Sequence, residues 1–136
     1  MTLSELKDYT ALQAEIKRCK EKIYEINCST VKSPTYDSIG AAKNSSRRNS
    51  VEEKLIDNIS KKEKYEERIN SAEEQVRRIE KYISGIKDRR TRLIFEMRIY
   101  DQKEWWRIAH EFGGKNSDES VQKIFRRYVK SHPENR

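Results

Sequence analysis

Apolar residues along this chain recur at intervals of three and four rather than two, which predicts helices and no strands. In the first segment Leu12, Ile16, Cys19, Ile23 and Ile26 are spaced 4, 3, 4 and 3, the seam of a heptad, on a helix expected over residues 3–27. The residues between them are mostly Lys and Glu, which favour helix. A second seam, Ile69, Ala72, Val76, Ile79, Ile83 and Ile86, marks a long helix expected over residues 51–86. Ser50 with Glu53 three residues on reads as the capping box that opens it. Upstream, Leu55, Ile59, Lys62 and Tyr65 keep the stripe with a slip at Lys62. One narrow stripe on a charged helix is not stable alone. The simplest partner for each stripe is the other, giving an all-α fold that begins with an antiparallel, coiled-coil-like helical hairpin.

Between the two seams, residues 28–50 read CSTVKSPTYDSIGAAKNSSRRNS, with no helical or alternating period. This composition predicts a flexible polar linker. Lys43, Arg47 and Arg48 also suit it as a basic arm that touches nucleic acid or a partner protein.

From Lys87 onward aromatic and bulky aliphatic residues become dense, and three short helices are legible over residues 87–136. The first, expected over residues 88–100, carries Leu93, Ile94 and Met97 on one face and Phe95 and Ile99 on another, as a buried helix does. Asp101 and Glu104 are spaced to cap a second helix whose apolar face is Trp105, Ile108, Ala109 and Phe112. Gly113-Gly114 ends it, because a helix stop favours a left-handed residue. Asn116 or Ser117 caps a third helix with Val121, Ile124, Phe125 and Tyr128 on its buried face. Of the adjacent tryptophans only one can face the core: Trp105 is expected inside, and Trp106 part-exposed, against the long helix or against another protein.

Two short helices joined by a glycine turn after an earlier helix read as a helix-turn-helix DNA-binding unit. Over residues 92–130 the chain resembles the last DNA-binding region of sigma factors. It resembles more closely the phage-encoded, sigma-region-4-like regulators of the ArpU/RinA kind. The resemblance rests on Trp105, Ile108 and Ala109, matching a Trp-x-x-Ile-Ala core, and on Gly113 at the turn; Lys115-Asn116-Ser117 lengthens that turn. It implies a sequence-specific transcription regulator of phage late genes, acting with host RNA polymerase in the bacterial cytoplasm.

With the third helix in a major groove, Gln122 is suited to adenine and Lys123 or Arg126 to guanine, with Asn116, Ser117 and Ser120 near the leading end. Arg127 and Lys130 are placed for phosphate, with Arg89, Arg90, Arg92 and Lys115 as further phosphate contacts. Charge placement agrees. The chain carries +7 overall, and residues 87–136 hold 13 Lys and Arg against 8 Asp and Glu. Residues 28–50 add a further +3, while the rest of the chain is close to neutral. A polyanion such as double-stranded DNA is the natural partner for that surplus.

With 39% charged residues and no long apolar run, a membrane span is excluded as an expectation. The N-terminus has no basic-then-apolar arrangement, so no signal peptide is read. Cys19 and Cys28 read as structural thiols in a reducing compartment. His110 and His132 have no ligand spacing for zinc, and no phosphate-binding glycine loop or nucleophile motif occurs. No cofactor, no metal and no enzymatic activity are therefore expected. Two rival readings remain open: a DNA-packaging component like a small terminase subunit, which would form rings, and a coiled-coil adaptor that binds protein. The hairpin also suits a homodimer.

Overall fold

In a computed structural model of the chain, the structure describes residues 1–31, 45–113 and 115–133, with only the backbone described for residues 29–31 and 45–51. The fold is all-α, with no strand among the described residues. In chain order the helices are α1 (Leu3–Lys7), α2 (Tyr9–Val31), α3 (Ser45–Ser84), α4 (Arg89–Phe95), α5 (Trp105–Glu111) and α6 (Asp118–Ser131). A π-helical turn, Glu96–Tyr100, continues α4.

The N-terminus holds a capping box that the periodicity did not reveal. The Thr2 hydroxyl accepts from the Glu5 N–H at 3.2 Å, and the Glu5 carboxylate accepts from the Thr2 N–H at 2.8 Å. These bonds to Thr2 hold the Glu5 carboxyl below its ordinary pKa. The first helix is thus two helices, α1 and α2, meeting at Asp8. Both long helices outrun their expected bounds: α2 continues past Asn27 to Val31, and α3 starts at Ser45 rather than residue 51. Asn, Cys, Ser and Thr cost only a few tenths of a kcal/mol more than Lys or Glu in a helix, about 0.3–0.5 per residue, so polar composition alone does not place a helix end. Residues 32–44 of the expected linker lie outside the described residues, Lys43 among them, as do the side chains of Arg47, Arg48 and Ser50.

The chain divides into two compact units. One comprises residues 15–72, where Ile16, Cys19, Ile69 and Ala72 are buried. Arg68 donates to the Glu15 carboxylate across the helices at 3.0 Å. The buried residues are members of the two heptad seams, as their spacing predicts.

The other unit comprises residues 1–14 and 73–136. Its centre is an aromatic cluster drawn from α3, α4, α5 and α6. The Phe95 ring lies 4.4 Å from Phe125 and 5.4 Å from Tyr128, with Tyr82 6.0 Å from Tyr128 and Trp105 5.2 Å from Phe125. Tyr82 is buried and its hydroxyl donates to the carbonyl of His132 at 2.5 Å, which ties the end of α6 to α3. The terminal amine of Met1 donates to the carbonyl of Pro133. Tyr9 lies 5.1 Å from Tyr100 and donates to Glu80 at 3.1 Å.

Two expectations for this unit are corrected. Ile94, Phe95 and Ile99 are buried with Thr91, whereas Leu93 is exposed and Met97 only half-buried. Leu93 lies across α4 from the buried face of Thr91, Ile94 and Phe95, and the wider step of the π turn that follows, with the Asp101 N–H bonded to the Glu96 carbonyl at 3.2 Å, brings Ile99 round to that face. Asp101 and Glu104 also do not form a capping box. Gln102 takes a φ of +56° and the chain turns there, so α5 begins only at Trp105, with Glu104 at its N-cap and no side-chain cap bond.

Candidate nucleic-acid interface

The candidate interface is built on α6, and α6 is fixed from both ends. Asp88 caps α4, accepting from the Thr91 N–H at 3.1 Å and from its hydroxyl at 2.6 Å; these bonds hold the Asp88 carboxyl below its usual range. From α4, Arg90 reaches the α5–α6 turn, donating to Asn116 Oδ1 and standing 5.7 Å over the Phe112 ring. Asn116 in turn donates through Nδ2 to the Phe112 carbonyl at 3.2 Å. Gly113 takes a φ of +93°, the positive value anticipated for the turn. Ser117 is the N-cap, accepting from the Ser120 N–H at 3.2 Å, and the Ser120 hydroxyl bonds back to the Ser117 carbonyl at 2.9 Å.

On α6 the buried face is Val121, Phe125 and Val129, with Ile124 and Tyr128 half-buried. The expected face is therefore rotated by a small angle toward Val129, a position the sequence reading missed. Its signal was present as an apolar residue four beyond Phe125. On the opposite side Lys123, Arg126 and Lys130 are exposed at i, i+3 and i+7, with Arg127 beside them. No ion pair joins any of these four cations to a carboxylate among the described residues. Gln122 sits half-buried at the edge of the row.

The expected site residues thus separate by what they touch. Lys123, Arg126, Arg127 and Lys130 form one outward basic row. Asn116, Ser117 and Ser120 spend their polar atoms on the turn and the cap. Arg90 is engaged with that turn, while Arg89 and Lys115 are exposed and Arg92 is half-buried. Asp118 and Glu119 occupy the first turn of α6, so its leading end is acidic and its second half basic. That order suits the helix dipole. It also moves the point of attraction for a polyanion away from the N-terminus to the middle and end of the helix.

Beside the row, Arg98 lies 4.6 Å over the Trp105 ring and donates to the Lys103 carbonyl at 3.0 Å, and Lys103 pairs with Glu111 at 2.7 Å. These cations are committed to packing α5. Trp106 is 54% exposed; its indole N–H donates to Glu104 and its ring meets Arg107 at 5.8 Å. The cysteines are free thiols, Cys19 buried and Cys28 half-buried. Among the described residues no three His, Cys, Asp or Glu side chains converge as a metal site requires. No described helix is long and apolar enough to cross a membrane. No family model, curated protein or solved structure matches the chain.

Proposed function

We propose that this chain binds double-stranded DNA through the outward row of α6 and reads sequence there. The single observation that carries the reading is the row itself: Lys123, Arg126 and Lys130, with Arg127, stand exposed on a helix whose other face is locked by Val121, Phe125 and Val129. A basic row on a rigid helix presents side chains to base edges and phosphates in a fixed register, which mobile lysines on a loop cannot do. Arg126 and Lys123, in mid-helix, are the base-reading candidates, each good pair being worth about 1–3 kcal/mol of discrimination. Lys130 and Arg127, further along, contact phosphate, with Arg89 and Lys115 as outlying contacts. Asn116, Ser117 and Ser120 act indirectly, by setting where α6 begins.

A role as a late-gene activator acting with RNA polymerase rests on the resemblance carried by Trp105, Ile108, Ala109 and Gly113. The antiparallel helical hairpin is part of the same proposal. The test is retention of sheared genomic fragments by the full chain at about 150 mM salt, followed by sequencing; lower salt inflates sequence-independent phosphate binding. A sharp enriched site is the expected result, and diffuse or absent retention would overturn the reading.

A further inference from the structure

We propose that the unit of residues 15–72 carries a self-association face, covered by a second copy of this chain in a four-helix arrangement. Seven large apolar side chains are exposed among the described residues, and four of them lie in this unit: Tyr24 at 70%, Leu55 at 43%, Ile56 at 66% and Ile59 at 58%. The direction of the helices follows from the Arg68–Glu15 bond and chain length. Were α2 and α3 parallel there, Val31 and Ser45 would stand about 58 Å apart at roughly 1.5 Å per residue. The chain joining them reaches about 50 Å when fully extended. The helices are therefore antiparallel, which sets Tyr24 level with Ile59, Lys20 with Glu63 and Lys17 with Glu66.

The four apolar residues share one side. Buried Ile16 and Cys19 on α2, and Ile69 and Ala72 on α3, mark the seam between the helices. At about 100° per residue, Lys20, Tyr24 and Lys17 are rotated roughly 70–130° from the middle of that seam, and Leu55, Glu66, Ile59, Glu63 and Ile56 roughly 70–170° in the same sense. Rotations in the same sense on two antiparallel helices lead to the same side. That side therefore carries the apolar patch toward one end, exposed lysines along α2 and exposed glutamates along α3.

Such a face is self-complementary about a two-fold axis parallel to the helices. The axis lays α2 of one copy on α3 of the other without changing level. Tyr24 then covers Ile59 and Ile56 of the partner copy, and Lys17 and Lys20 meet the other copy's glutamates at the levels of Glu66 and Glu63, twice over. An axis across the helices would set α2 on α2 and lose both sets of charge pairs. Large apolar side chains gathered on one exposed side, rather than scattered singly, mark a surface that another protein covers. The face shares no residue with the α6 row, and its test reads mass rather than DNA.

Sedimentation equilibrium on the full chain should give twice the 16.3 kDa of one copy. Ile56→Glu with Ile59→Glu should be monomeric at unchanged helix content by circular dichroism, because both side chains are exposed. Two further variants separate cross-chain from within-chain pairing: Lys17→Glu with Lys20→Glu, and Glu63→Lys with Glu66→Lys. Each alone should weaken its homodimer by about tenfold or more. Mixed one to one, they should form a heterodimer by native mass spectrometry, since both sets of pairs are then restored across the interface. A monomeric wild-type chain, a larger ring, a dimer indifferent to the Ile56 and Ile59 changes, or failure of the mixture to pair would each overturn the proposal.

Discussion

At Gly113 the backbone takes a φ of +93°, and a Cβ added there would meet nothing within 4 Å. The need for glycine is thus conformational rather than steric. Gly113→Ala should cost about 1–2 kcal/mol, read from the denaturant midpoint, with no packing defect. Asn116 shows the limit of reading a polar residue near a helix start as a base contact. Its carbonyl oxygen takes Arg90 and its amide nitrogen gives to Phe112, so the side chain holds the turn. Arg90 and Asn116 are separated by 26 residues in sequence, and no local pattern shows that they meet. The charges of Lys123, Arg126, Arg127 and Lys130, by contrast, were legible directly, since a charged residue opposite an apolar stripe has one place to go.

Among the elements, α4 and α6 stand or fall together. The Phe95 ring is fully buried and touches both Phe125 and Tyr128, so Phe95→Ala should cost about 3–5 kcal/mol by loss of packing and cavity formation. The same change should release α6 and lower DNA affinity without removing any cation. Alkaline pH offers a second probe. Burial, reinforced by Tyr128, pushes the Tyr82 hydroxyl up to about 12, and burial with Glu80 nearby does the same at Tyr100. Both groups bind their proton more tightly folded than unfolded. Their contribution to stability is therefore whole below the ordinary tyrosine value of 10.0 and is lost as pH rises from there toward about 12. The denaturant midpoint should fall across that window, and Tyr82→Phe should flatten part of the fall. If the variant and the parent lose stability alike, burial of the hydroxyl is not what resists ionisation. Helix identity was readable from the 3–4 spacing because one buried stripe imposes it. The π turn, the late start of α5 and the small rotation of α6 were not, because each is set by packing against neighbouring helices rather than by local spacing.

For the molecule as a whole, the basic surplus in residues 87–136 is divided between two uses. Arg90, Arg98 and Lys103 are committed to turns, rings and carboxylates, and the α6 row is left open. The affinity for bulk DNA should accordingly fall with salt at a slope set by the few open cations, about 0.9 per phosphate contact. Removing Lys130 and Arg127 should reduce that slope by about 2 without changing which site is preferred. A slope indifferent to both residues would place the phosphate contacts elsewhere.

The most direct measurement is the enrichment of a selected fragment over bulk DNA at about 150 mM salt, compared between the full chain and the variant Lys123→Gln with Arg126→Gln. These two side chains are exposed and outside the core, so the variant should retain the helix content and thermal midpoint of the parent. If α6 reads DNA, the parent shows a preferred site and the variant loses that preference while keeping weak general binding. An undiminished preference in the folded variant would contradict the assignment of α6 as the reading helix.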